Sequence, residues 1–309
     1  MDRRTHLDWS LLAIATLIWS SAYIFTNMAV NKDDLARGLP PELVISARLT
    51  IGAIILLAIT PFLKQKWPPL SDWRAWLVMM GMGIAGTMLP FLLISTAQQT
   101  IDAGLAALYV AAEPLFVVVM AHFMFTDDRL NNHKIIGVIV GFIGVAVLFG
   151  PDAVKQSGST SISAQSLCLL ATICYATSVI IARYGKSIPP LVFAAGFLSF
   201  GAVASWAMLP GIDFGALQPD RRSLLAVIAL GVGPTAIASL IYMVLIQRTS
   251  ASFLALVGYT IPISSACLGY LIFSEIPSAN AILAIILILS GVWYSQGRSS
   301  SATAAVEND

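Results

Sequence analysis

Two charged residues lie well inside apolar segments, and they are the first candidates for chemistry. Glu113 stands near the middle of the run 106–125, which is otherwise almost wholly apolar, and Arg48 lies inside the run 42–63. A charge at the centre of a bilayer costs roughly 3 kcal/mol or more, so such residues usually face a partner or a wet cavity. Glu113 is therefore expected either to transfer protons or contact a substrate ammonium group, or to form a structural pair with Arg48.

Four prolines interrupt apolar segments and are predicted to act as hinges: Pro90, Pro114, Pro234 and Pro262. A proline inside a helix removes one backbone hydrogen bond and tends to kink the helix. The carbonyl that loses its donor then needs another partner, which is easiest to supply beside a cavity. Because Pro114 directly follows Glu113, a break in the helix and a charge are expected at the same place.

Aromatic and polar residues recur in the same segments. Trp19, Tyr23 and Asn27 are spaced four residues apart and so share one face of a helix, and Tyr109 precedes Glu113 by one turn. Aromatic walls with a few polar tips suit a zwitterion that carries an apolar side chain. The predicted cavity residues are Trp19, Tyr23, Asn27, Thr87, Tyr109, Glu113, Tyr175, Thr235, Tyr242 and Tyr259.

The composition indicates that lipid surrounds these segments. Hydrophobic residues make up 58% of the chain and charged residues 11%, whereas soluble domains carry about a quarter charged residues. The mean hydropathy is +0.84. Ten segments are apolar and long enough to span a bilayer as helices: 9–30, 42–63, 74–97, 102–125, 133–150, 162–183, 190–210, 222–246, 250–274 and 277–296.

The loop charges predict the topology. The first segment, 9–30, is longer than the core of a usual signal peptide, so it is expected to be retained as a helix. With the N-terminus inside, the inner loops carry a clear excess of lysine and arginine, which predicts that both termini face the cytoplasm. The polar tail from about residue 298 is predicted to be disordered.

A weak internal repeat runs through the chain. Residues 40–61 align with 189–210 at an offset of 149, and residues 81–87 align with 229–235 at an offset of 148. Agreement at a nearly constant offset across several helices is hard to obtain by chance among apolar residues. The sequence therefore predicts two related halves.

These halves are predicted to be residues 1–155 and 156–309. Each half carries five spans, an odd number, so the second copy must cross the membrane in the opposite sense, as in many secondary transporters. Arg48 aligns with Phe197 and so has no charged counterpart. Arg48 either serves a function that only one half has, or extends to the outer interface of the membrane.

The order and spacing of several motifs resemble those of the ten-helix EamA family of the drug/metabolite transporter superfamily, over about residues 8–297. The motifs are IWSSAYI (18–24), PPELVISAR (40–48), AEPLFVVVMAHFMFTDD (112–128) and GVIVGFIGVAVLFG (137–150), with a weaker second copy in IPISSACLGYLIFSE (261–275) and ILILSGVWY (286–294). The resemblance implies an all-α membrane protein of two inverted five-helix repeats around a central cavity. It also implies export of amino acids or other small metabolites across a bacterial inner membrane, with exporters of the YddG type as the favoured branch. Because an acid before this proline looks like a scaffold feature of the family, the resemblance favours a structural role for Glu113.

Other functions remain as alternatives or are disfavoured. Within the same fold, efflux of lipophilic cations or other drugs and transport of sugars or carboxylates stay open. An intramembrane enzyme is disfavoured because the chain has no HExxH motif and no nucleotide-binding loop, and a channel is disfavoured because no charged ring or carbonyl filter is visible. Cys168, Cys174 and Cys267 lie in apolar segments, so no metal site or disulfide framework is expected. We expect no cofactor and no nucleic-acid partner, and we expect a monomer whose partners are the bilayer and a small-molecule substrate.

Overall fold

The computed structural model describes residues 6–31, 33–126, 129–155, 159–249, 253 and 256–296, and for residues 149–155, 159–161, 243, 246, 247, 259 and 296 it describes the backbone alone. Throughout this part of the chain the regular elements are helices. The α-helices are α1 (His6–Val30), α2 (Pro41–Ile59), α3 (Trp73–Gly83), α4 (Leu89–Ala97), α5 (Ala103–Val110), α6 (Glu113–Met124), α7 (Asn132–Lys155), α8 (Ser159–Ala182), α9 (Pro190–Trp206), α10 (Arg221–Leu230), α11 (Ala238–Arg248), α12 (Leu256–Phe273) and α13 (Ala279–Gln296).

Eight helical stretches of the described chain are long and apolar enough to cross a membrane. They are His6–Val30, Pro41–Leu63, Trp73–Ala97, Ala103–Met124, Ile162–Gly185, Pro190–Gly211, Arg221–Tyr242 and Leu256–Phe273. Two further helices, Asn132–Leu148 and Ala279–Ser295, are apolar but shorter than 18 residues. They fall on the fifth and tenth predicted segments, so a ten-span arrangement stays a prediction while eight candidate spans are observed.

Short-range chemistry fixes several helix starts. The carboxylates of Asp72 and Asp220 accept hydrogen bonds from backbone N–H groups at 3.2 and 2.7 Å in the first turns of α3 and α10, which is the usual role of an N-cap acid. Asp102 occupies the residue before α5, but its side chain does not cap that helix. The carboxylate that does so belongs to Glu275, which accepts from Ala103 N at 3.2 Å and from Gly104 N at 3.1 Å.

Two π-helical segments occur at corresponding positions of the two halves. The first, Ile84–Met88, joins α3 to α4, and the second, Gly231–Ile237, joins α10 to α11. Their starts differ by 147 residues in sequence, close to the offsets of 148 and 149 in the internal repeat. Because π-helical turns are uncommon and often mark functional sites, the pair directs attention to the space between these helices.

The halves also pack through reciprocal contacts. A Cβ atom placed on Gly52 of α2 would lie 2.5 Å from Thr235 Cγ2, and one placed on Gly201 of α9 would lie 2.5 Å from Thr87 Oγ1. Gly201 follows Gly52 by 149 residues, and Thr235 follows Thr87 by 148. These two contacts between the halves therefore involve residues at corresponding positions of the internal repeat.

Helices α7 and α13 form a second close contact through glycines. A Cβ atom on Gly137 would lie 2.5 Å from the carbonyl oxygen of Gly291, and a Cβ atom on Gly291 would lie 2.5 Å from that of Gly137. Small residues allow apolar helices to approach this closely, and van der Waals packing then supplies much of the attraction.

Candidate binding cavity

A cavity of about 600 Å³ lies between the helices of the two halves. Residues from α1, α2, the two π-helical segments, α4, α6, α8 and α11 contribute to its wall. This volume is within the range of roughly 300–1,000 Å³ that is usual for small-molecule sites, and the mostly apolar wall with a few polar groups is typical of them as well.

Arg48 is the basic residue of the cavity and is held in a defined orientation. Its side chain comes from the middle of α2 and the residue is only 7% exposed. Nε donates a hydrogen bond to Thr235 Oγ1 at 2.8 Å, and the guanidinium carbon lies 3.7 Å from the centre of the Phe91 ring. The stacking and the directional hydrogen bond together fix the plane of the guanidinium group.

Thr235, which accepts the hydrogen bond from Arg48, lies next to a proline that changes the local hydrogen bonding. Pro234 has no N–H, so the carbonyl oxygen four residues earlier, that of Leu230, cannot accept an α-helical hydrogen bond from residue 234. The Thr235 hydroxyl donates to this oxygen at 2.8 Å and accepts from Arg48 with its lone pair. The predicted interruption at Pro234 lies inside the second π-helical segment. Through the Thr235 hydroxyl, this interruption is linked to the guanidinium group of Arg48.

Glu113 is the acidic residue of the cavity and stands at a break between two helices. Helix α5 ends at Val110 and α6 begins at Glu113, with Pro114 in its first turn. A helix start carries a partial positive charge that favours a carboxylate in the first turn. The break thus explains physically why one Glu is tolerated in so apolar a segment.

Arg48 and Glu113 do not form the predicted pair in this structure. Neither residue takes part in the ion pairs that the described part of the chain shows within 4.0 Å, such as Arg37 with Asp34 and Arg248 with Asp8. The guanidinium of Arg48 is instead engaged by Thr235. Both charges line the cavity without contacting each other, because Arg48 is oriented toward the π-helical segment of the other half.

The aromatic wall is built by residues from four helices, α1, α4, α8 and α11. The indole N–H of Trp19 donates to the carbonyl oxygen of Pro234 at 3.1 Å, and the Trp19 ring packs edge-on against Tyr242 at 5.2 Å between centroids. On another side Tyr175 contacts Phe91 edge-on at 6.4 Å. Aromatic pairs of this geometry are favourable beyond the area that they bury, so the wall is expected to be rigid.

Most predicted site residues meet in this cavity. The predicted residues that line it are Trp19, Tyr23, Arg48, Thr87, Glu113, Pro114, Tyr175, Pro234, Thr235 and Tyr242. Pro90, in the first turn of α4, and Pro262, inside α12, lie outside this lining. The Tyr259 side chain lies outside the described residues.

Tyr109 and Asn27 are placed elsewhere. Tyr109 is fully buried and its hydroxyl donates to Gln165 Oε1 at 2.6 Å. Tyr109 was predicted to line the cavity on the assumption that one continuous helix runs through Glu113. Because the helix breaks after Val110, Tyr109 and Glu113 need not lie on the same face. Asn27, 7% exposed near the end of α1, lies beyond the cavity lining.

Sequence reasoning missed several lining residues. Phe91, Phe197, Thr26, Ser178 and Ser239 all line the cavity. A phenylalanine in an apolar helix has no sequence feature that marks it as a cavity residue. Serine and threonine in membrane helices usually donate a hydrogen bond to their own backbone, as Ser239 does to Thr235 O at 2.6 Å, so they do not indicate a site either. Phe91 had one signal, its position next to a helix-interrupting proline.

The family match covers the chain in two parts, one in each half. A match to the EamA-like transporter family covers residues 9–150 and 162–295. The chain is 22% identical over 290 residues to an uncharacterized transporter of Archaeoglobus fulgidus, covering 92% of this chain and 97% of that one. It is 26% identical over 289 residues to the aromatic amino acid exporter YddG of Ancylobacter novellus (90% and 95% covered). It is 26% identical over 285 residues to the uncharacterized inner membrane transporter YedA of Escherichia coli K12 (89% and 86% covered).

The fold is also similar to that of a protein whose crystal structure has been solved. That structure superposes with a TM-score of 0.65 at 21% sequence identity and covers 95% of this chain and 97% of its own. The family match spans nearly the whole chain in two parts, and the relatives are transporters rather than enzymes. The chain is therefore a multi-span membrane protein that belongs to the EamA-like transporter family of the drug/metabolite transporter superfamily.

Proposed function

We propose that this protein is a secondary transporter of a bacterial inner membrane that exports small metabolites, with amino acids bearing apolar or aromatic side chains as the favoured substrates. The observation that carries the proposal is the cavity between the two halves, which combines an aromatic wall with one cation, Arg48, and one anion, Glu113. An amino acid offers the complementary set of an ammonium group, a carboxylate and an apolar side chain.

The transport mechanism that fits this arrangement is alternating access between two inverted five-helix repeats. Its support is the reciprocal packing of Gly52 against Thr235 and of Gly201 against Thr87, together with the two corresponding π-helical segments. Halves related in this way can exchange conformations and open one central site to either side in turn. The proposal includes ten spans with both termini in the cytoplasm.

Amino-acid export is further supported by one relative. The YddG protein of Ancylobacter novellus is an aromatic amino acid exporter by name, and 26% of its aligned residues match this chain. YedA of Escherichia coli K12, which is named as an inner membrane transporter, supports the proposed location. Since the chain has no nucleotide-binding loop, transport is proposed to follow substrate or ion gradients.

Efflux of lipophilic cations is the second candidate function. The observation in its favour is that Glu113 shares the cavity with Trp19, Tyr23, Tyr175 and Tyr242. A carboxylate and aromatic faces are the groups that attract an organic cation. Arg48 in the same cavity opposes this reading because it would repel the cation.

A liposome transport screen tests the proposed function. The purified protein is reconstituted, and the movement of apolar amino acids, quaternary amines, sugars and carboxylates is measured with and without a pH gradient. Saturable movement of an apolar amino acid, absent from protein-free liposomes, is the expected result. Selective movement of lipophilic cations would replace the favoured candidate by the second one, and movement of none of these compounds would refute the transport proposal.

A further inference from the structure

The two charges of the cavity are both left without a protein partner of opposite sign. Arg48 uses Nε on Thr235 and one face of its guanidinium on Phe91, and among the described residues no acceptor lies within hydrogen-bond distance of its two terminal nitrogens. Glu113 likewise has no donor within that distance in the described chain. Buried charges are usually paired because an unpaired one is costly.

The orientation of Arg48 leaves a particular edge available. Because Thr235 holds the Nε side, the edge formed by the two terminal nitrogens remains for a ligand. Two parallel N–H donors on a planar group match the two oxygens of a carboxylate, and such bidentate pairs are stronger than single hydrogen bonds. Arg48 is 7% exposed, so this pairing would occur largely away from bulk water, where it is strongest.

The two charges border the same compartment. Tyr23, Arg48, Glu113 and Tyr175 all line this one cavity. Trp19 adds an apolar surface to the same wall. A ligand placed here can therefore contact a cation, an anion and an aromatic wall at the same time.

We infer that the cavity recognises its substrate as a zwitterion, with a carboxylate on the Arg48 guanidinium and an ammonium group on the Glu113 carboxylate. The inference rests on the proposed transport function and defines the substrate class as amino acids whose amino and carboxylate groups are both free. Arg48 and Glu113 are then the residues that determine specificity. Thr235 is a positioning residue, since it acts on the substrate through Arg48.

This assignment predicts which compounds the cavity rejects. A ligand that lacks the carboxylate leaves Arg48 desolvated and unpaired, and one that lacks the ammonium group leaves Glu113 in the same condition. Sites built to bind a polar group discriminate strongly against analogues without it. Each missing charge is expected to weaken recognition roughly 10- to 100-fold, because a hydrogen bond to a charged group contributes about 1.5–3 kcal/mol.

A competition assay in proteoliposomes tests the inference. Transport of radiolabelled L-phenylalanine is measured in the presence of unlabelled L-phenylalanine, 2-phenylethylamine or 3-phenylpropionate. The last two compounds keep the aromatic ring and lack, respectively, the carboxylate and the ammonium group. For the native protein, L-phenylalanine is expected to compete at concentrations roughly 10- to 100-fold lower than either analogue.

Variants identify the residues responsible. Arg48→Gln is expected to bring 2-phenylethylamine to within about threefold of L-phenylalanine as a competitor, and Glu113→Gln is expected to do the same for 3-phenylpropionate. Thr235→Val keeps the charge of Arg48 but removes its hydrogen bond, so a smaller loss of discrimination is expected. Arg74→Gln, which changes an exposed cation at the start of α3, is the control and should keep the native ratio.

The ratio between competitors is informative even when a variant inserts poorly, because it does not depend on the amount of active protein. If 2-phenylethylamine competes as well as L-phenylalanine with the native protein, or if Arg48→Gln keeps the native ratio, the inference is overturned while transport itself stands. If none of the three compounds is transported or competes while another class in the screen moves, the zwitterion assignment is refuted and the transport proposal survives. If no compound moves, both proposals fail.

Discussion

Replacing either of two corresponding glycines by valine is predicted to destabilise the protein to a similar extent. A Cβ atom on Gly52 would lie 2.5 Å from Thr235 Cγ2, and one on Gly201 would lie 2.5 Å from Thr87 Oγ1 and 2.9 Å from Gly83 O. Ordinary contacts begin near 3.4 Å, so each site must open by 3.4 − 2.5, or about 0.9 Å. Overpacking of this kind typically costs about 1–3 kcal/mol.

The expected loss lies near the middle of that range. Valine adds two methyl groups beyond Cβ, and its better helix propensity returns only about 0.4 kcal/mol relative to glycine. We therefore expect Gly52→Val and Gly201→Val each to lower the free energy of unfolding by about 2 kcal/mol, which corresponds to a fall of about 4 °C in the midpoint of thermal unfolding.

The assay is thermal unfolding of the purified protein in detergent, followed by intrinsic fluorescence. Gly258→Val is the matched control, since no atom of the described residues lies within 4 Å of a Cβ at that helical position, and its midpoint should stay within about 1 °C of the native value. Gly52→Val has a second expected effect: displacing Thr235 disturbs the hydrogen bond to Arg48, so transport should fall more than with Gly201→Val. Native-like midpoints for both variants, or a large loss in only one, would refute the reciprocal packing of the halves.

Three further predictions concern single residues and the direction of the chain. Glu113→Gln should insert normally and reduce transport, and unchanged transport in vesicles at every pH would exclude this carboxylate from the mechanism. Glu275→Gln should destabilise the protein by about 1 kcal/mol, measured by thermal unfolding, because the carboxylate at the N-terminus of α5 accepts from Ala103 N and Gly104 N; an unchanged midpoint would contradict this role. Cysteines placed at Arg129 and Glu275 in a cysteine-free protein should be labelled from opposite faces of the membrane, and labelling from the same face would contradict the inverted repeats.

Much of the helical framework could be predicted from the sequence because apolar runs dominate it. The eight candidate spans coincide with eight of the predicted segments, since a run of about 20 apolar residues has few alternatives to a helix in lipid. The break at Pro114 was also predictable, because proline removes a hydrogen bond wherever it stands inside a helix. Such features depend on local chemistry alone.

Features that depend on contacts between distant residues were harder to predict. The partner of Arg48 is the hydroxyl of Thr235, which lies 187 residues away in sequence, and the sequence suggested the nearer charge on Glu113. The cap of α5 is supplied by Glu275, 172 residues from Ala103, rather than by the adjacent Asp102. Sequence position favours partners that are near in the chain. In both cases the observed partner is instead a distant residue that tertiary packing brings close.

Tyr109 was misplaced because the helix that contains it was assumed to be continuous. Four residues along a continuous helix return to the same face, and this rule placed Tyr109 beside Glu113. The helix stops at Val110 and begins again at Glu113, so the rule does not apply across the break. Tyr109 is consequently buried against Gln165 of α8.

Access to the cavity from both sides of the membrane is the central claim of the proposed mechanism, and labelling of one cavity residue tests it most directly. A single cysteine is introduced as Ser239→Cys, at the cavity wall, in a protein whose native cysteines, Cys168, Cys174 and Cys267, have been replaced. A membrane-impermeant thiol reagent is then applied to either face of sealed vesicles. The account predicts labelling from both faces, with a rate that changes when a transported amino acid is added. Labelling from one face only, at a rate that no substrate alters, would contradict it.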